Sequence, residues 1–143
     1  MPLGGALPRA AADTVPITRI MSPHVVCALP DLDLRTLVEV MVRDRLGCVP
    51  IVDEYQHPFG MVTKLDIVEH LVGPPDRVEP TVADVMMPFA ISLDEDATVA
   101  HAAALMAAED MHHVLVVSAR RLIGVVSTMD ITRWLADTDG MPA

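Results

Sequence analysis

Apolar residues at positions 34, 37, 38, 41 and 42 give the i, i+3, i+4, i+7, i+8 stripe of a helix that buries one face. The same stripe returns at Val99, Ala102, Ala103, Met106 and Ala107, and the residues ahead of the two stripes, Asp33 and Thr98, are of types that cap helix starts. Each helix is followed by two short runs rich in β-branched residues and joined by a polar turn, which predicts a hairpin. These runs are Cys48–Val52 with Phe59–Val62, and His113–Val117 with Leu122–Val126. A β-type run precedes each helix, at Val25–Cys27 and at Ala90–Ser92, and a short helix closes each set, from Lys64 to about Leu71 and from Thr128 to about Ala136. The chain therefore reads β-α-β-β-α twice, an α/β (α+β) fold in which each small unit has an apolar face to bury against its copy.

The two halves share residues as well as pattern. Gly60-Met-Val-Thr-Lys-Leu-Asp-Ile67 matches Gly124-Val-Val-Ser-Thr-Met-Asp-Ile131 at an offset of 64. Upstream, Ile20-Met-Ser-Pro23 matches Val85-Met-Met-Pro88 and Cys48-Val-Pro-Ile-Val52 matches His113-Val-Leu-Val-Val117, both at 65. One residue is lost in the hairpin turn, where length changes are tolerated. The expected organisation is an extension over 1–16, repeats over 17–72 and 81–137, a Gly-Pro-rich linker over 73–80 and a tail over 138–143.

Composition narrows the function. Of 143 residues, 52% are hydrophobic and 21% charged, which fits a folded domain and not a disordered chain. The longest uninterrupted apolar run, Ala102–Ala108, is far short of the roughly 18 residues a membrane-spanning helix needs. The N-terminus lacks the basic start and apolar core of a secretory signal, so the expected compartment is the cytoplasm. A net charge of −10, with only 3% aromatic residues, is the wrong balance for neutralising phosphates or stacking bases, and no nucleic-acid partner is expected. Cys27 and Cys48 have no CxxC spacing and read as small core residues, with redox sensing the weaker alternative. No nucleophile elbow, Walker loop, dinucleotide fingerprint or zincin helix is present, which argues against an enzyme.

The Met-x-Pro turn, the Ala/Leu/Met helix, the hydrophobic strand and the Gly-h-h-[ST]-x-x-Asp-Ile segment (h, apolar), occurring twice in the same order, together resemble the CBS domain, named for cystathionine β-synthase. Two tandem copies resemble a stand-alone CBS pair, and almost nothing of the chain is left over for a catalytic domain. The resemblance implies two repeats packed with pseudo-two-fold symmetry, a face-to-face homodimer, and regulatory binding of an adenosyl compound in clefts between the repeats. No other cofactor is required.

The repeated motif carries two readings. A hydroxyl at a helix start with a carboxylate one turn on is a capping box, in which side chains satisfy otherwise unpaired amides. The same arrangement can hold a phosphate at the helix N-terminus and a ribose diol on the carboxylate. The resemblance implies the second role, with Asp66 and Asp130 on ribose hydroxyls and Thr63 and Ser127 on phosphate. It also implies an adenine slot made by Val25, Val26 and Pro50 in the first repeat and Ala90, Ile91 and Leu115 in the second, positions that plain core packing would also explain. His112 and His113, where the first repeat has Gly47 and Cys48, are further phosphate contacts and would make binding pH-sensitive. Adjacent strand residues point to opposite faces, so these two do not suit one metal ion; His101, read as mid-helix, and His24 complete no cluster. Gly60 and Gly124 mark places where a ligand or the neighbouring repeat comes close to a strand. Acids outnumber bases in both repeats, which favours a ligand of low net charge, such as AMP or S-adenosylmethionine, over ATP, with NADH a further candidate. The competing function is a ligand-free dimerisation or docking module. The Ala/Met-rich helices Thr98–Asp110 and Thr128–Ala136, with Trp134, suit such a contact surface.

Overall fold

The computed structural model describes residues 11–139; most of the expected tail 138–143 and of the expected extension 1–16 lies outside them. The elements are α1 (Leu34–Asp44), β1 (Cys48–Val52), β2 (Pro58–Thr63), α2 (Lys64–Val72), β3 (Ser92–Asp94), α3 (Val99–Glu109), β4 (His113–Ser118), β5 (Arg121–Ser127) and α4 (Thr128–Asp139). Short 3-10 turns at Ile17–Arg19 and Val82–Asp84 precede the two halves. The strands form a two-stranded sheet, β1-β2, and a three-stranded sheet ordered β3-β4-β5.

The helices and hairpins follow the sequence pattern to within a few residues, but the leading strands do not. Val25–Cys27 is not a strand; the first half keeps only a parallel bridge between Ala28 and Ile51. In the second half the strand lies two residues later than expected, at Ser92–Asp94, paired in parallel with Leu115–Val117. The cause is local. Glu95 N–H donates to the Val117 carbonyl at 2.9 Å and extends that ladder. Its counterpart 65 residues earlier is Pro30, which has no N–H to give to Val52.

The chain divides into two compact units that do not coincide with the repeats. One takes residues 24–90 with 119–122. The other takes the described residues 11–23 with 91–118 and 123–139. Each unit is thus built from one repeat's helices and hairpin plus the Met-x-Pro segment of the other. In the first of these, Leu34, Leu37 and Met41 of α1 pack with Val49, Ile51 and Val62 of the hairpin and with Val82. In the second, Ile17, Val99, Ala102, Met106, Val114, Val116 and Val126 are buried.

Several expected core positions are instead on the surface. Val42 is 74% exposed, and Ala103 and Ala107 are also exposed. A five-position stripe spans a wider arc than one helix–sheet contact covers, so its edge remains open. Cys27 is exposed as well, as is its counterpart Ser92 in β3; of the two cysteines only Cys48 is buried, and both thiols are free.

Helix starts are closed in different ways. Thr98 accepts from His101 N–H at 3.3 Å while His101 Nδ1 accepts from Thr98 N–H at 3.1 Å, so His101 is a capping residue in the first turn of α3 and not a mid-helix one. Asp33 precedes α1 but makes no side-chain cap. There the Leu34 N–H donates to the Pro80 carbonyl at 2.9 Å.

Candidate functional site

Each hairpin runs directly into the helix that closes its repeat, so the residue joining strand to helix is held at both ends. Thr63 ends β2 and caps α2. Its N–H and its hydroxyl both donate to one Asp66 carboxylate oxygen, at 2.7 and 2.9 Å, and the Asp66 N–H points back at Thr63 Oγ1 at 3.4 Å. Ser127 and Asp130 repeat this at α4, with Ser127 N–H donating to Asp130 at 2.8 Å and Asp130 N–H donating to Ser127 Oγ at 3.1 Å. All four residues are half-buried. The capping reading of the motif is therefore realised in both repeats. Each Asp has a second carboxylate oxygen outside these hydrogen bonds, so capping leaves an acceptor of the kind a ribose diol takes.

The strand-to-helix junction is anchored from the other side too. Lys64 N–H donates to the Gly47 carbonyl at 3.2 Å and Thr128 N–H to the His112 carbonyl at 2.9 Å. His112 thus meets the start of α4 through its backbone while its side chain is exposed, and His113 begins β4 half-buried. Cys48, the counterpart of His113, pairs with Thr63 across the hairpin. Burial, and secondarily the negative charge of Asp66, push the Cys48 thiol up to about 12. It stays neutral at ordinary pH, and whatever stability the thiol form contributes is present below its usual 9.0 and lost as pH rises towards 12. Cys27 should therefore react with a thiol reagent at pH 8 while Cys48 stays protected until the chain unfolds. Counting fast and slow thiols in native protein checks this, and two fast thiols would contradict it.

The structure distributes the expected adenine-slot residues unevenly. Pro50 and Leu115 are buried and, by strand alternation, lie on the sheet face opposite the one that Val49, Ile51, Val114 and Val116 turn to the helices. Ile91 is buried and its carbonyl accepts from Leu115 N–H at 2.8 Å. Val25 and Ala90 are half-buried, and Val26 is exposed. Val25, Val26, Pro50, Thr63 and Asp66 share one unit with Ala90. Ile91, Leu115, Ser127, Asp130 and both histidines share the other.

The close approach at the glycines is made by methionine. A Cβ on Gly60 would sit 2.8 Å from Met86 Sδ and 2.9 Å from the Met87 carbonyl oxygen; one on Gly124 would run into Met21 Sδ and lie 3.0 Å from the Ser22 carbonyl oxygen. Of the two occupants that the spacing allowed, the neighbouring repeat is the one seen, because Met86 and Met21 come from the opposite repeat's Met-x-Pro turn. In the sequence these methionines belong to a turn motif, and their own 65-residue offset marks them as a matched pair. A third Thr-x-x-Asp, Thr81-Val-Ala-Asp84, makes a similar box, with Thr81 N–H donating to Asp84 at 2.7 Å.

A family model described as the CBS domain matches residues 17–73 and 82–137. The chain belongs to the CBS-domain family and carries the domain twice, as a tandem pair. Among solved structures it is similar to the CBS domain pair of protein MJ0100 in complex with 5′-methylthioadenosine and S-adenosyl-L-methionine. That match has a TM-score of 0.79 and 25% identity, over 88% of this chain and 99% of that one. It shares its fold with CBSX2, solved in complex with AMP, at a TM-score of 0.79 and 17% identity over 87% of this chain and 99% of that one. Among curated proteins it is 28% identical over 134 residues to the uncharacterized protein MJ1404 of Methanocaldococcus jannaschii, matching 85% of this chain but only 32% of that protein. This chain thus spans about a third of that relative's length. None of its described helices is long and apolar enough to cross a membrane.

Proposed function

We propose that this chain is a cytoplasmic regulatory module that binds an adenosyl compound of low net charge, AMP or an S-adenosyl-type ligand, and relays occupancy through self-association or partner contacts. Asp66 and Asp130 receive the ribose hydroxyls. Thr63 and Ser127, with His112 and His113 in the second repeat, face the phosphate or its substituent, and Val25, Val26, Pro50, Ala90, Ile91 and Leu115 supply the apolar slot. The observation that carries this reading is the recurrence of one geometry in both repeats: a hydroxyl and a carboxylate locked at the junction of strand and helix, each carboxylate keeping an acceptor oxygen. The solved pair at 25% identity, with methylthioadenosine and S-adenosylmethionine bound, supports the ligand class. The acid-rich composition supports low charge over a polyphosphate. A ligand acts here by its differential affinity for one arrangement of the chain over another.

The second reading, a ligand-free docking module, is favoured by the boxes themselves, in which the motif residues satisfy one another's hydrogen bonds. A thermal-shift panel of AMP, ADP, ATP, NADH, S-adenosylmethionine and methylthioadenosine separates the two. A ligand at 100 times its dissociation constant adds ~2.7 kcal/mol to the folded state, a rise of about 5–10 °C for a domain of this size. One or two adenosyl compounds should produce it, and a panel flat across all six would transfer the assignment to docking.

A further inference from the structure

The hairpin turns of the two repeats meet at the end of β2 opposite Thr63. Leu122 N–H, just past the second turn, donates to the Gln56 carbonyl in the first at 3.1 Å, and residues 119–122 belong to the same compact unit as that first turn. The first turn is tied from within. One Asp53 carboxylate oxygen accepts from the Tyr55 and His57 N–H groups at 2.8 and 2.9 Å, and the other lies 3.6 Å from His57 Nδ1. In the second turn Ala119 and Arg120 are both left-handed, at φ 49° and 69°, where a two-residue hairpin turn ordinarily carries Asn-Gly. Arg121 follows them and opens β5 beside the first turn.

Between the turns is a shallow cup of about 450 Å³ lined by Glu54, Tyr55, Gln56, His57 and Arg121. Its rings come from one repeat and its guanidinium from the other. The Tyr55 and His57 ring centres are 6.0 Å apart with their planes tilted by 38°. Tyr55, the chain's one tyrosine, is 66% exposed, so in a chain with only 3% aromatic residues this ring is laid on a surface turn and not in the core. Glu54 and Arg121 are both exposed, and neither enters an ion pair among the described residues. Asp53, the other acid of the first turn, is occupied in folding it.

We propose that this cup is a second ligand site, for a single carboxylate carried on an aromatic group. The Arg121 guanidinium takes the carboxylate through its paired N–H donors, the aromatic group lies against Tyr55 and His57, and the Gln56 amide supplies a neutral donor. Charge selects the monoanion. One guanidinium answers one carboxylate, while Glu54 in the lining and the net charge of −10 oppose a polyanion. None of the five lining residues belongs to the adenosyl site proposed above, so the two assignments stand or fall separately. A free aromatic acid and the C-terminal residue of a partner chain both present this group.

Titration of the full chain, followed by NMR at the Tyr55 ring and the Arg121 Nε–H, tests the site and separates these sources. The probes are N-acetylphenylalanine, its amide, and a short peptide ending in phenylalanine with a free carboxylate. N-acetylphenylalanine should move both signals, and the amide should bind at least about tenfold more weakly. Arg121→Gln and Tyr55→Ala should each cost a similar factor, whereas Tyr55→Phe should cost little. Arg121→Lys, which keeps the charge without the fork, should recover only part of the Arg121→Gln loss. Circular dichroism checks that these exposed substitutions leave the fold intact. Tighter binding of the peptide than of N-acetylphenylalanine would assign the site to a partner's C-terminus, and equal or weaker binding would assign it to a free aromatic acid. Acid and amide binding alike, Arg121→Gln binding like the parent chain, or no movement of either signal would overturn the proposal.

Discussion

Gly60→Val is expected to be among the most damaging single substitutions in the chain, and Gly60→Ala to cost about 1–3 kcal/mol by overpacking. The first carbon added at Gly60 meets two atoms of different kinds, the sulfur of Met86 at 2.8 Å and the carbonyl oxygen of Met87 at 2.9 Å. The sulfur ends a flexible side chain and can rotate away. The carbonyl cannot, because Met87 is bridged to Met61 by hydrogen bonds of 2.7 and 3.4 Å, and Met61 is fully buried beside Gly60. Relief requires moving the Met-x-Pro segment off the hairpin. At Gly124 the added carbon meets Met21 and the Ser22 carbonyl, which is held to Val125 by hydrogen bonds of 2.9 and 3.1 Å, so Gly124→Ala should cost a similar amount. Urea midpoints followed by circular dichroism give the comparison. A Gly60→Ala chain within 0.5 kcal/mol of the parent would mean that the Met87 carbonyl yields more easily than its hydrogen bonds imply.

That contact also marks the boundary of what sequence reading can reach. The repeat, its one-residue slip and the β-α-β-β-α order were visible because each rests on local spacing: a helical stripe, a hairpin turn, a Thr or Ser three residues before an Asp. The boxes at Thr63 and Ser127 were legible for the same reason, since every atom in them lies within four residues. What failed was non-local. That the first half keeps only a bridge where the second has β3 is consistent with a missing amide at Pro30 opposite Val52, which matters only once the parallel pairing is known. The exchange of Met-x-Pro segments between repeats leaves a trace in sequence, a glycine and a methionine conserved in offset, but nothing in the spacing says which methionine meets which glycine. The open edges at Val42 and Ala107 reflect how much of a helix its sheet covers, a tertiary fact that periodicity overstates.

Asp66→Ala and Asp130→Ala should each change two quantities at once, and the pair of readouts separates capping from binding. Each carboxylate accepts hydrogen bonds at a helix start, so removing it should lower stability by about 1 kcal/mol whichever function is right. A fall in melting temperature is thus no argument against ribose binding. Asp84 supplies the control: it caps a 3-10 turn with the same geometry at 2.7 Å, and no binding role is assigned to it. Asp84→Ala should lower stability to a similar degree and leave the ligand-induced shift intact. In the adenosyl-binding reading, Asp66→Ala or Asp130→Ala additionally removes a charged acceptor from the ribose, a loss of about 10–100-fold in affinity at that site. Asp→Asn keeps an acceptor oxygen for the cap but loses the charge, and so should recover stability more than it recovers affinity. Titration calorimetry with the ligand that the panel selects, on Asp66→Asn, Asp130→Asn and Asp84→Asn chains, reads this directly. Equal affinity in all three would remove both carboxylates from the site, whereas weakening confined to one of the first two would show which repeat carries the competent half.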